Sequence, residues 1–192
     1  MLKHPALLAL AMALIPSVVL AGPSPTYASD RKTKPERKLE TPIQLAFAAP
    51  AQIFRESASV MGIRLSVFLG RNEDVTGLDL GLVNSTKGTF NGLGAGLVNS
   101  VHGDGSALHV GAVNSCGGYF SGVQLSGFLN HVGGDSNALQ VGAINVVNGT
   151  QGGLQIGVIN VAKNLNGVQI GLININSSSD TVSFMPILNM AF

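Results

Sequence analysis

An all-β fold, a β-solenoid of about eight fifteen-residue repeats, is predicted by three features of this sequence. Asparagine recurs at Asn84, Asn99, Asn114, Asn130, Asn145, Asn160, Asn174 and Asn189, with spacings of 15, 15, 16, 15, 15, 14 and 15. A glycine precedes each of the first seven by three residues, at Gly81, Gly96, Gly111, Gly127, Gly142, Gly157 and Gly171, and Pro186 holds that place in the eighth unit, as suits a terminal one. Between these markers the residues alternate: in Val168-Gln-Ile-Gly-Leu-Ile-Asn174, a period of two places Val168, Ile170, Leu172 and Asn174 on one side and Gln169, Gly171 and Ile173 on the other. Such alternation, with β-branched residues and Gly, Asn and Ser in the connectors, specifies strand.

A small antiparallel outer-membrane β-barrel is the alternative architecture. The same N-to-C polarity in every unit favours parallel coils, stacked about 4.8 Å apart, with the asparagines in one column whose amides bond from coil to coil. Equal connectors and the absence of Trp also speak against a barrel with long outer loops and aromatic girdles. Two features favour the barrel. Phe184, Leu188, Met190 and Phe192 form an alternating closing strand that ends on an aromatic residue, and His102-Gly-Asp-Gly-Ser-Ala-Leu108 resembles Gly133-Gly-Asp-Ser-Asn-Ala-Leu139 at double spacing.

Taken in chain order, the sequence begins with a basic start and an apolar run, Ala6–Ile15 and Val18–Ala21, with small residues Val19 and Ala21 at cleavage positions. Residues 1–21 are therefore expected to be a secretory signal peptide, with Ala28 as a second candidate cleavage point. Residues 22–41, rich in Pro, Ser, Lys and Arg, read as a disordered basic linker carrying Arg31, Lys32, Lys34, Arg37 and Lys38. Residues 42–74 contain two apolar strands, Pro42–Phe47 and Gly62–Leu69, expected to cap one end of the array. The array itself is read over 75–192, and the extra residue in Val123-Gln-Leu-Ser-Gly-Phe-Leu-Asn130 is expected to form a β-bulge.

The units Gly153–Val161 and Gly167–Ile175, together with the ending Phe184–Phe192, resemble a family of bacterial surface-repeat proteins first named from a leptospiral member, over about residues 60–192. The resemblance implies export and a position in the cell envelope or at the surface of a Gram-negative bacterium, and it supplies no catalytic residues. Ala95 and Ser126 depart from the repeat's aliphatic positions, and Asp79, Gly94 and His109 replace its glutamine.

Chemistry is sparse. Only 11% of residues are charged, against roughly 25% in ordinary soluble proteins, and the net charge of +1 leaves no electrostatic footprint for nucleic acid. From Val75 onward the charges are Asp79, Lys87, Asp104, Asp135, Lys163 and Asp180 alone. His102 with Asp104 and His131 with Asp135 fall two units apart, about 10 Å in a solenoid, too far to share a metal ion. One carboxylate per Gly-Asp turn is a poor calcium cage. Gly92–Gly96 lies inside a repeat, not at a strand-to-helix phosphate loop. His109 reads as a strand-face residue and Cys116, the single cysteine, as a small packed side chain. Asn84-Ser-Thr, Asn148-Gly-Thr and Asn176-Ser-Ser match the glycosylation pattern by letters alone. The expectation is a non-enzymatic exported envelope or surface protein, held at the outer membrane or secreted, without cofactors and with an unknown envelope or extracellular partner, or alternatively a barrel anchor or pore associated with the outer membrane.

Overall fold

The computed structural model describes residues 39–48, 51–178 and 184–192. The segment expected to be a signal peptide, and that expected to be a basic linker up to Lys38, lie outside them. Regular structure in the described residues is entirely strand: β1 (Glu40–Ala48), β2 (Ala51–Gln52), β3 (Ser59–Asn72), β4 (Val75–Thr86), β5 (Phe90–Ala95), β6 (Val98–Val101), β7 (Gly105–Cys116), β8 (Phe120–Val132), β9 (Ser136–Val141), β10 (Ile144–Gln151), β11 (Leu154–Ile156), β12 (Ile159–Leu165), β13 (Gly167–Asn176) and β14 (Phe184–Ala191).

The strands stack in parallel and in register as a β-solenoid of about nine coils. Asn84, Asn99, Asn114, Asn130, Asn145, Asn160 and Asn174 pair in succession. An antiparallel barrel is excluded by this pairing, because antiparallel neighbours occur only at the ends, β1 with β2 and β13 with β14. The regular stack also reaches further toward the N-terminus than Val75, since β3 runs parallel to β4 along its length and β1 parallel to β3.

Each coil has two arms joined at a corner, seen where β5 gives way to β6 at Gly96–Leu97. The corner corrects the expected sidedness. In a straight strand Gln169 and Asn174, five residues apart, would face opposite ways; the corner at Gly171–Leu172 breaks the alternation, and both amides are buried while Ile170 and Leu172 are exposed. The corner glycines are needed for close approach. A Cβ on Gly157 would stand 2.3 Å from the carbonyl oxygen of Gly142 one coil earlier, and one on Gly171 would stand 2.2 Å from that of Gly157. Gly127 is the exception, with nothing within 4 Å, because it sits in a bulge.

Two coils hold one extra residue. The register shifts where Ser66 and Leu69 oppose Gly81 and Val83, and again where Gly111 and Val113 oppose Ser126 and Leu129. Both bulges carry the same local pattern, Leu-Ser-x-Phe-Leu, at 65–69 and 125–129.

Asn189 does not extend the asparagine column. β14 runs antiparallel to β13, so Asn189 pairs with Gln169 instead. The reversed strand still terminates both amide columns. Asn174 Nδ2 donates to the Met185 carbonyl at 3.0 Å, and Asn189 Nδ2 donates to Gln169 Oε1 at 3.0 Å. Pro186, which has no N–H, lies on this outer strand, where it blunts the edge against further pairing. Ile187 turns the corner opposite Gly171 with a φ of 73°, a left-handed conformation that strains a β-branched residue.

The apolar interior is narrow. Val60, Val75, Phe90 and Phe120 from the first arms pack against Val101, Cys116, Val132, Val147 and Ala162 from the second arms. Sizes alternate where the aromatic rings stack: a Cβ on Gly105 would meet the Phe120 ring at 2.7 Å, so glycine between Phe90 and Phe120 makes room for both. Much of the rest of the interior is polar, and side-chain amides make up most of it.

Candidate functional site

The asparagine column is a continuous hydrogen-bonded ladder. Asn99 Nδ2 donates to Asn114 Oδ1 at 2.8 Å and to the Val110 carbonyl at 3.0 Å, and the same two bonds recur at Asn84, Asn114, Asn130, Asn145 and Asn160. Each amide thus joins its coil to the next by side chain and backbone together, so a polar core costs little desolvation. Asn84 Oδ1 has no donor, because Gly70 stands where the preceding asparagine would be.

The glutamine column runs in the opposite sense. Gln140, Gln155 and Gln169 each donate from Nε2 to the Oε1 of the previous coil's glutamine at 2.7 Å. All are fully buried, so the departures at Asp79, Gly94 and His109 are substitutions within the core. Upstream the column reads Arg64, Asp79, Gly94, His109 and Gln124. Arg64 grips Asp79 through two nitrogens, with Nε to Oδ1 at 2.7 Å, and its Nη1 donates to the Ser85 carbonyl at 2.9 Å. Burial pushes the Asp79 carboxyl up against the pull of Arg64.

His109 lies between the Phe90 and Phe120 rings, with centroids 4.9 and 5.4 Å away. Gly94 leaves the space for it, since a Cβ there would meet His109 Cδ2 at 3.0 Å. Burial pulls the His109 imidazole down to about 4, and neither its Nδ1 nor the neighbouring Gln124 Nε2 has a partner. The unfolded chain protonates this histidine below about 6.5, whereas the folded chain resists until about 4. Its contribution is therefore intact above pH 6.5 and is lost as pH falls toward 4, by about 3 kcal/mol. His109→Gln supplies an acceptor for Gln124 and removes this titration. Melting temperatures between pH 7 and 4 are expected to fall less steeply in the variant; parallel profiles would exclude His109 as their source. Burial lowers His131 as well, so part of the slope persists in the variant.

The other candidate residues serve the stack. Asp104 Oδ1 accepts from the Tyr119 backbone N–H and Asp135 Oδ1 from that of Thr150, both at 2.7 Å. Asp74 does the same for Thr89 at 2.8 Å. These aspartates stand on every second turn, and glycines occupy the turns between: a Cβ on Gly88, Gly118 or Gly149 would fall 2.1 to 2.3 Å from the aspartate oxygen of the preceding coil. The similarity at double spacing is thus an Asp-over-Gly clip between turns, not an alternation of barrel loops. His102 Nδ1 approaches the Thr86 carbonyl at 3.1 Å, and His131 Nδ1 approaches Ser115 Oγ at 3.3 Å. Cys116 Sγ donates to the Gly103 carbonyl at 3.1 Å, and burial pushes its thiol up to about 12, so it is no thiolate nucleophile. Among the described residues no group of His, Cys, Asp and Glu could hold a metal ion.

The distinctive feature lies outside. Four columns of side chains face outward on and around the corner, typified by Leu78, Leu80, Leu82 and Val83 in β4, with Leu129 at the second bulge turned inward. From the Ile63 coil to the Val168 coil every residue in these columns is aliphatic or aromatic. Leu97 is 58% exposed, Val158 49% and Leu172 68%. The charged residues Glu73, Asp74, Lys87, Asp104, Asp135 and Lys163 occupy or adjoin the turns between coils, about half a coil away from the corner along the chain. At the N-terminal end the face deepens into a groove of about 900 Å³ between β1, β3 and β4, lined by Leu45, Phe47, Ile53, Val67, Leu80 and Leu82 among others.

Against known proteins, the chain matches no family model, no curated protein and no solved structure.

Both interior columns are marked in the sequence by position, but the aliphatic face is not, because strict alternation puts Val168, Ile170 and Leu172 on the side of Asn174 and Ile173 on the other. The signal was present: four apolar positions per fifteen-residue coil exceed what a core already filled by two amide ladders can hold.

Proposed function

We infer that the protein is a non-enzymatic, exported repeat protein of the cell envelope, in which a rigid solenoid presents its aliphatic face as an attachment surface. The observation that carries this reading is the run of half-exposed or exposed apolar residues along the stack, Leu129 alone excepted. Exposed apolar patches beyond a few hundred Å² mark interaction surfaces, and a packed, cross-bonded interior frees the outside from any role in holding the coils together. The basic start and apolar run of residues 1–21 support export. Membership of the surface-repeat family is part of the same proposal, supported by the units at Gly153–Val161 and Gly167–Ile175.

The test is fractionation of a Gram-negative host producing the full chain. The expected result is a shortened chain, beginning after Ala21 or Ala28, in the envelope fraction and released by detergent but not by high salt. An unprocessed chain in the cytoplasm, or a free monomer in the periplasm or medium, overturns the reading.

A further inference from the structure

The aliphatic face matches itself about one point. The first arms lie side by side in the order β1, β3, β4, β5, β7, β8, β9, β11, β13 and β14, ten strands whose midpoint falls between β7 and β8. The end strands prolong the face: Ile43 and Leu45 of β1 stand beside Ile63 and Leu65, and Met190 and Leu188 of β14 beside Val168 and Ile170. A second copy turned end for end, about an axis through the midpoint and across the stack, sets β7 against the partner's β8, β5 against β9, β4 against β11, β3 against β13 and β1 against β14.

Relief corresponds under that operation. The groove beside Phe47, Val67 and Leu82 marks the N-terminal end. At the other end, equally far from the midpoint, stand Leu172, 68% exposed, and Ile187, 71% exposed, the two most exposed aliphatic side chains among the described residues. Turned end for end, each copy's Leu172 and Ile187 enter the other's groove. Along the corner near the midpoint, large side chains meet small ones: Phe128 of each copy falls opposite Ala112 of the other, and Leu97 opposite Ala143.

Polarity and area agree with the relief. Thr76, Asn91, Ser106, Ser121 and Asn137 stand in register two residues before the Leu78 column and border the face with hydroxyls and amides. All but the half-buried Ser121 are exposed. Interfaces between proteins surround an apolar centre with such a polar rim. In the end-for-end pair Asn91 meets Asn137 of the partner subunit and Ser106 meets Ser121 of the partner subunit, whereas a copy turned about the stack axis sets this border against the corner leucines. Ten strands at about 4.8 Å, and the run from Leu78 to Leu82 at about 3.3 Å per residue, give a strip about 43 Å by 13 Å. That is about 560 Å² on each copy and about 1,100 Å² for the pair, above the roughly 1,000 Å² at which specific interfaces begin.

We propose that the aliphatic face of the first arms and corner is the interface of an antiparallel homodimer. The proposal rests on the reading of this face as an interaction surface and names its partner, a second copy of the chain. The second-arm column, Val83, Val98, Val113, Ile144, Ile159 and Ile173, stays outside the interface and remains for the envelope.

The experiment is sedimentation equilibrium of the full exported chain over a range of concentrations, and a dimer is expected. Leu172→Lys carries an unpaired charge into the groove and is expected to raise the dissociation constant at least about tenfold. Ala112→Glu, at an exposed position that meets Phe128 of the partner subunit, is expected to do the same and serves should the lysine disturb folding; thermal melting reports the fold in each case. Direction is read by linkage. Asn91→Cys mixed with Asn137→Cys is expected to form a disulfide-joined dimer on oxidation, whereas Asn91→Cys alone, whose two copies lie about 14 Å apart in the pair, is not. A monomer at every concentration, a dimer that neither substitution weakens, or linkage of Asn91→Cys to itself overturns the proposal. Fractionation separates it from the attachment reading: a monomer held in the envelope removes the dimer alone, and a dimer free in the periplasm or medium sustains the dimer and removes the attachment.

Discussion

Asn145→Leu is expected to lower the melting temperature by about 10 °C while keeping the transition cooperative. The side chain is fully buried and lies in the middle of the ladder. It donates to Asn160 Oδ1 at 2.8 Å and to the Ile156 carbonyl at 3.0 Å, and its Oδ1 accepts from Asn130 at 2.9 Å. Leucine removes all three bonds and leaves polar groups on the coils above and below without their partner, each at about 1–3 kcal/mol. Relief by water is unfavourable, because Gly142 and Gly157 bring the backbones close around the amide: the Cβ sites on these two glycines lie 2.9 Å from Asn130 Nδ2 and 2.7 Å from Asn145 Nδ2. A second variant sharpens the test. Asn84 begins the column and its Oδ1 already lacks a donor, so Asn84→Leu strands fewer groups and should cost less. Thermal melts followed by circular dichroism compare the two; equal losses, or none at Asn145, would remove the ladder as a principal source of stability.

The ladder also explains what could be read from the sequence and what could not. The asparagine spacing and the glycine three residues earlier report one local device, in which the glycine lets successive coils approach and the asparagine bridges them. Both are repeated in the letters, so the solenoid and its column were legible. The corner was not, because a Gly-Leu or Gly-Ala step inside an alternating strand looks like continued strand. Only the backbone turn between Gly171 and Asn174 brings Gln169 and Asn174 to the same interior. That turn separates Ile170 and Leu172, which are exposed, from Asn174, with which strict alternation would group them. Asn189 misled for a related reason: its spacing of fifteen fits the column, but strand direction is not written in spacing, and β14 comes back antiparallel. The Asp-over-Gly clips were visible as a similarity at double spacing, yet their meaning required the knowledge that one aspartate reaches the N–H a coil later.

A core of amides with aliphatic residues outside also accounts for the odd upstream end. Glutamine serves the column while it has a glutamine to bond on each side. At His109 that chain of partners stops, and the interior turns to rings, with Phe90 and Phe120 on either side of the imidazole and Gly94 making room. Beyond Gly94 the column restarts as a charged pair. Arg64 and Asp79 occupy the place of two glutamines and span the same coil step, with Arg64 also reaching Ser85, Asn72 and Thr86 of the second arms.

Removing one member of that pair should be among the most damaging single changes available. Asp79→Ala leaves the Arg64 guanidinium, which is fully buried, facing only neutral acceptors. An uncompensated buried charge of this kind costs about 3–5 kcal/mol, enough to lower the melting temperature by roughly 10 °C or more in a chain of this size. The intact pair is a different matter. Desolvation of Asp79 outweighs the pull of Arg64 on its carboxyl, so the two charges recover little more than they lose by leaving water. Arg64→Gln with Asp79→Gln restores the amide pair used in later coils, where Nε2 of one meets Oε1 of the other at 2.7 Å. The double variant is therefore expected to melt near the parent despite losing both charges, and far above Asp79→Ala. A thermodynamic cycle over the parent, both single variants and the double variant measures the difference. If the double variant is as unstable as Asp79→Ala, the ion pair holds the upstream coils itself and an amide pair does not replace it.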